Sequence, residues 1–170
     1  MKRVLSKSED DVQLNFDAEK ALIQTAEFEL YFRLIEGRFP NYNAVIPANN
    51  PFEATIDRNT LVGALKRVNV FCNQSSGLIK VHLENNLMKL NGQDNDFATS
   101  AEENIYCDYN NSPISIGFSC QFMLEIVSIL EDENVTLKLA DPSRPGLIVP
   151  AEQQPDDEVM MLLMPMMLND

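Results

Sequence analysis

The chain has 170 residues, enough for one well-buried core or for one domain and part of another. Its 45% hydrophobic and 23% charged content excludes a disordered chain, and a formal charge of −13, from 26 acidic and 13 basic residues, excludes nucleic-acid binding by overall attraction. Three cysteines without a CxxC pair exclude a disulfide frame and a zinc site and fit a reducing compartment. The basic start, Met1-Lys2-Arg3, runs into acidic Glu9-Asp10-Asp11 where a signal peptide needs its apolar stretch, so a cytoplasmic location is expected.

Residues 12–16, 20–25 and 28–35 predict three short strands joined by polar turns. Pro40, Pro47 and Pro51 then bracket an extended connector, with Ala48-Asn49-Asn50 expected as its loosest point. Residues 52–56 alternate as a strand. Asp57 follows as a helix N-cap, and Leu61, Ala64, Leu65 and Val68 fall at i, i+3, i+4 and i+7. Strands are predicted near 78–83, 87–91 and 96–107. The order then restarts with a strand at 114–118, Ser119 as N-cap, and a helix carrying Met123, Ile126, Val127 and Leu130 at the same spacing. Strands near 134–139, 145–149 and 159–164 complete it.

Strand, helix and three strands thus occur twice after residue 51, a repeat of α+β units with helices layered on a largely antiparallel sheet. Residues 4–14 align with 129–137 as a helix end, an acidic turn and an alternating strand, so the chain is expected to begin near the end of a unit of the same kind. The expected division is 1–47 as the last part of one domain, 48–51 as a linker, and 52–170 as a complete domain.

The end of the chain is its most unusual part. Five of the eight methionines lie between Met160 and Met167, in an apolar run too short to cross a bilayer, which needs ~20 residues. It reads as a buried strand turned at Pro165, which supplies no ladder N–H. The residues past the turn are either a frayed core strand or a flexible thioether surface suited to apolar partners.

Catalytic chemistry has little support. His82, the only histidine, sits in an alternating strand, where it reads as structural and has no second histidine for a relay or metal pair. Acidic clusters such as Asp156-Asp157-Glu158 read as solvated turns, and Cys72, Cys107 and Cys120 as buried thiols. Arg58, Lys66 and Arg67 put positive charge on the first predicted helix, which taken alone is a solvated helix face.

Leu34-Ile35-Glu36-Gly37-Arg38-Phe39-Pro40-Asn41-Tyr42, Ile116-Gly117-Phe118 and Leu163-Met164-Pro165-Met166, set on this repeat, resemble the bacterial sliding clamp, the β subunit of the DNA polymerase III holoenzyme. The resemblance covers the whole chain. It implies a DNA-clamp fold, with two helices packed on one face of a curved antiparallel sheet. It also implies three similar domains per subunit, and a head-to-tail homodimer closed into a ring around duplex DNA. The chain matches the end of the second domain and all of the third, and by itself is expected not to close a ring. No catalysis, cofactor or metal is implied. Partners are duplex DNA, held topologically, and the replicative polymerase, clamp loader and repair proteins, which dock short linear peptides in an apolar groove between the second and third domains.

By the same resemblance the groove takes Pro40, Val45, Ser119, Phe122, Arg144, Pro145, Leu162, Leu163, Met164, Pro165, Met166 and Leu168. Arg58, Lys66 and Arg67 face DNA, and Val70 and Phe71 match dimer contacts. Ala44 and Met167 stand where the family often carries basic residues, which implies a less basic groove rim. The alternative of another class is a free-standing peptide-binding adaptor of clamp-like fold without a DNA role.

Overall fold

The computed structural model of the protein describes residues 11–168. The helix end expected at the start of the chain lies outside the described residues. The chain divides into two compact units between Asn41 and Tyr42. The first is an antiparallel meander of β1 (Gln13–Phe16), β2 (Lys20–Gln24) and β3 (Glu29–Arg33), in that order. Its turns are set by side chains. Asp17 Oδ1 accepts the backbone N–H groups of Glu19 and Lys20 at 2.8 Å, and Thr25 Oγ1 accepts that of Phe28 at 3.2 Å. Among its described residues, Ala21 and Ile23 are the buried ones.

The second unit opens with a short 3-10 turn (Tyr42–Ala44) and then holds the repeat. Its first copy is β4 (Phe52–Asp57), α1 (Arg58–Asn69), β5 (Leu78–Glu84), β6 (Leu87–Asp94) and β7 (Thr99–Tyr106). The second copy is β8 (Ile114–Ser119), α2 (Cys120–Ile129), β9 (Asn134–Leu139), β10 (Gly146–Pro150) and β11 (Met161–Leu163). Both helices start as their sequences require. Asp57 accepts the Thr60 N–H at 2.7 Å, and Ser119 accepts the Phe122 N–H at 3.4 Å. The stripe Leu61, Ala64, Leu65 and Val68 is fully buried, as are Met123 and Val127. α1 packs on β4, β6 and β7, α2 packs on β8 and β11, and the helices pack on each other around one continuous core.

The sheets do not follow the copies. Their orders are β11-β10-β9-β4 and β7-β6-β5-β8. Each copy therefore lends its first strand to the sheet of the other: Ala54 pairs with Leu137, and Ile116 with Val81. Two isolated bridges link the sheets at equivalent places, Thr55 with Asp108 and Gly117 with Met166. Thr55 and Gly117 are each the fourth residue of the first strand of their copy.

Asn50 departs from the expected loose connector. Its Nδ2 donates to the carbonyls of Lys138 at 2.8 Å and Pro145 at 3.0 Å, tying the approach to β4 onto β9 and the turn after it. Pattern reading sees an asparagine among turn formers; only the packed sheet supplies two carbonyls within its reach.

Candidate functional site

Pro165 ends β11 on one sheet, and one residue later the chain joins the other sheet. Met166 N–H donates to Gly117 O at 2.7 Å. This approach is possible because residue 117 is glycine: a Cβ there would lie 2.5 Å from Met166 O and 3.0 Å from the Leu168 and Leu78 side chains. The tail is thus a docked segment across the β8 edge and is not a frayed strand end. Leu163 is buried in the core, Leu162, Pro165, Met166 and Leu168 are half-buried, and Met164 and Met167 are 58% and 88% exposed.

Beside Met166 opens a cleft of ≈ 530 Å³ between the end of α1, the loop before β5 and the start of α2. The loop is built on Asn73, whose Oδ1 accepts the N–H groups of Ser75 at 3.1 Å and Ser76 at 3.2 Å. Gly77, at φ 59°, completes it and accepts the Cys120 N–H at 2.8 Å, fixing the loop to α2. Ser119 and Phe122 line the opposite wall, with Phe122 58% exposed because it lies on the outer side of the first turn of α2. None of the lining side chains is charged, which is notable in a chain of net charge −13. Such a wall suits an apolar or amide-bearing segment and offers nothing to a phosphate.

The structure joins some of the expected groove residues and leaves others apart. Ser119, Phe122 and Met166 share the cleft, with Leu162, Leu163, Met164 and Pro165 leading into it and Leu168 lining the next depression beside Leu78. Val45 is exposed and its N–H bonds Tyr42 O at 3.1 Å, outside this cleft. Arg144 stands 3.9 Å from Asp141 in the turn after β9, and Pro145 accepts from Asn50, so neither lines it. Pro40 belongs to the first unit and is exposed. Val70, matched to a dimer contact, is 76% exposed and forms part of the cleft wall, while Phe71 next to it is also exposed. Gln121, Asn69 and Asn73 line the cleft too and were not anticipated. Their signal in sequence was only an amide-rich stretch next to an N-cap.

The three cations of α1 diverge. Arg58 Nε donates to Asp132 O at 2.9 Å, holding the helix start to the turn before β9. Arg67 forms a two-point pair with Glu103 on β7, Nε to Oε1 at 2.6 Å and a second amino group to Oε2 at 3.1 Å. That pair raises the Arg67 pKa and holds the Glu103 carboxyl below the usual range. Lys66 is exposed and makes no ion pair among the described residues. His82 is part of the sheet surface, with Nδ1 2.8 Å from Ser115 Oγ and Nε2 3.5 Å from Glu84. Among the described residues no group of three or more His, Cys, Asp or Glu is placed to hold a metal, and no helix is long and apolar enough to cross a membrane.

Two strand-exchanged α+β repeats with paired helices, and a C-terminal tail bridged to the second sheet beside an uncharged cleft, define a domain of the DNA-clamp class. A family model described as the C-terminal domain of the DNA polymerase III beta subunit matches residues 43–167, and the chain belongs to that family. It is 27% identical over 166 residues to the Beta sliding clamp of Pseudomonas aeruginosa, covering 98% of this chain and 44% of that protein. To the Beta sliding clamp of Caulobacter vibrioides it is 27% identical over 165 residues, covering 97% and 43%. Among solved structures, the Pseudomonas aeruginosa sliding clamp superimposes at a TM-score of 0.89 with 26% identity, covering 98% of this chain and 44% of the other. The Bartonella birtlesii sliding clamp bound to griselimycin superimposes at 0.90 with 27% identity and the same coverage. The chain spans less than half the length of the relatives it matches.

Proposed function

We propose that this chain is the peptide-docking part of a DNA polymerase processivity clamp. In that role it works without catalysis in the bacterial cytoplasm, as part of a head-to-tail homodimeric ring around duplex DNA. Polymerase, clamp loader and repair proteins are tethered through short linear peptides. The observation that carries this is the bridge of Met166 to Gly117, which sets Met166 in the wall of an uncharged cleft shared with Phe122 and leaves Met164 and Met167 exposed. Membership of the beta-subunit family and the griselimycin-bound relative support it. In the same reading, residues 52–170 are the terminal domain, 48–51 its linker and 1–47 the end of the domain before it. Asn50 then anchors the linker to the terminal domain.

DNA contact in this reading is weak and sequence-blind. Lys66 carries it, while Arg67 is neutralised by Glu103 and Arg58 is engaged by backbone, so topology and not affinity retains the duplex. Val70 and Phe71 serve subunit contact at the rim of the cleft.

A ligand burying two large apolar side chains gains roughly 1.5–3 kcal/mol from each. After ordering costs this leaves about micromolar affinity. The test is a fluorescence-anisotropy titration with a peptide containing glutamine and leucine, using the chain and a form lacking residues 164–170, with circular dichroism of both. Loss of binding in a folded truncation is expected; unchanged affinity would overturn the assignment.

A further inference from the structure

We propose that Cys72 and Cys120 form a dithiol at the floor of the cleft, which a peroxide converts into a disulfide joining the end of α1 to the start of α2. The two sulfurs hang on the same stretch of helix. Cys72 Sγ donates to Val68 O at 3.5 Å and Cys120 Sγ to Leu65 O at 3.6 Å, carbonyls three residues apart on α1 and therefore on neighbouring turns of one face. The position of Cys72 is built into the sheet beneath it. A Cβ on Gly92 would lie 2.7 Å from Cys72 Sγ, so the sulfur fills a notch that only glycine leaves open. Cys72 lines the cleft, and Cys120 lies wholly inside, one residue past the Ser119 cap.

The two thiols are inequivalent. Contact with Cys120, which keeps its proton, lowers the Cys72 pKa, whereas that contact together with burial raises Cys120. Cys107 is the contrasting case: buried without a thiol partner and beside Asp108, it is pushed up to about 11 and is inert. Access sets the order of events, since Cys72 lines the cleft and Cys120 is wholly buried. The Cys72 thiolate attacks one oxygen of the peroxide, whose O–O bond breaks; sulfur becomes a sulfenic acid and the other oxygen leaves as an alcohol or water after taking a proton. The Cys120 sulfur, giving up its proton, then attacks Cys72 Sγ; the S–S bond forms and the sulfenic oxygen leaves as water. One peroxide is reduced and two thiols are oxidised.

Disulfide formation draws Cys72 out of the Gly92 notch and pulls the first turn of α2, with Ser119 and Phe122, toward α1. Its consequence for peptide docking rests on the function proposed above; the cross-link does not. The experiment treats the intact chain with hydrogen peroxide, alkylates it under denaturing conditions and maps it by mass spectrometry without reduction. Met167, 88% exposed, reports the dose through its sulfoxide.

Free thiols are expected to fall from three to one, leaving Cys107, with a cross-linked peptide pair holding residues 72 and 120 and recovery on adding dithiothreitol. In Cys120→Ser, a 1,3-dione probe is expected to trap a sulfenic acid on Cys72. Three intact thiols at a dose that has oxidised Met167, or a cross-link through Cys107, would overturn the proposal, and the mapping of the unmutated chain decides it even where the variant does not fold. The peptide titration repeated on the oxidised chain separates the two readings. Weaker, reductant-restored binding ties the dithiol to docking, while no binding in either state counts against the docking site and leaves the cross-link standing.

Discussion

The two copies of the repeat are closed by equivalent bridges made in different ways. In the first, Asp108 exchanges hydrogen bonds with Thr55 at 2.8 and 3.1 Å, and its neighbours pair with the hairpin turn at Asn86. Cys107 N–H reaches Asn86 O at 3.1 Å, Asn86 N–H reaches Tyr109 O at 3.1 Å, and Tyr109 N–H reaches Asn86 Oδ1 at 3.0 Å. Asn85 and Asn86, both at positive φ, make the tight turn that brings these groups into line. Cys107 and Tyr109 are buried on either side of the joint, and the Tyr109 hydroxyl donates to Ser112 O. In the second copy, among the described residues, the joint is the single Met166 to Gly117 bond, flanked by exposed Met164 and Met167. One joint is continuous with the core; the other lies at the surface beside the cleft. Fewer backbone bonds and exposed apolar side chains place the second at the low-stability end of the fold, the end from which ligand-binding segments are generally drawn.

Breaking the first joint should cost most. Tyr109→Ala removes a side chain that is 1% exposed together with its hydroxyl bond, and a loss of about 3–5 kcal/mol is expected in urea denaturation of the whole second unit. The second joint should cost less and report locally. Gly117→Val drives a side chain into the Met166 carbonyl, a backbone atom that moves only if the tail detaches, so about 1–3 kcal/mol is expected. With it should come faster hydrogen exchange of the Met166 amide and loss of peptide binding. A stable Gly117→Val protein with an intact tail would show that the approach is not what holds the segment.

The helix caps sharpen the comparison at smaller scale. Asp57 belongs to the first copy and Ser119 to the second, and their bonds are 2.7 and 3.4 Å. Asp57→Ala is expected to cost about 1 kcal/mol near neutral pH, and Ser119→Ala about 0.5 kcal/mol. Bonds from the Thr60 side chain and N–H hold the Asp57 pKa below its ordinary value. A carboxyl lowered in the folded state stabilises above its unfolded pKa, about 3.9, and loses that contribution as pH falls through the folded value. The Asp57→Ala deficit should therefore shrink in acid, whereas that of Ser119→Ala should not, as urea midpoints at neutral and acid pH would show.

The smallest expected effect concerns DNA. Lys66→Ala should weaken an already weak, salt-sensitive affinity for a duplex, changing the log–log salt slope by about one unit. Glu103→Gln should strengthen it by releasing Arg67. Nanomolar, salt-insensitive binding by the unmutated chain would contradict a sliding surface on α1.

Much of this was legible in the chain because it is local. The apolar stripe of α1, the caps Asp57 and Ser119, the restart at residue 114 and the turn at Pro165 depend on residues within a few positions of one another, where period and capping chemistry decide. The closing segment Leu162 to Leu168 was readable for the same reason, as an apolar run interrupted by one proline. The exchange of β4 and β8 between sheets was not, since alternation says which face a strand buries but not which edge it joins. Nor did sequence show that Arg67 spends its charge on Glu103, that Asn50 grips two distant carbonyls, or that Cys72 and Cys120 hang on one face of α1, because each depends on pairs between 36 and 95 residues apart. Local chemistry determined the elements of this protein and their ends. The meeting of distant edges, set by packing one core from both copies, decided that the last apolar residues close a sheet at the surface and leave a cleft beside them.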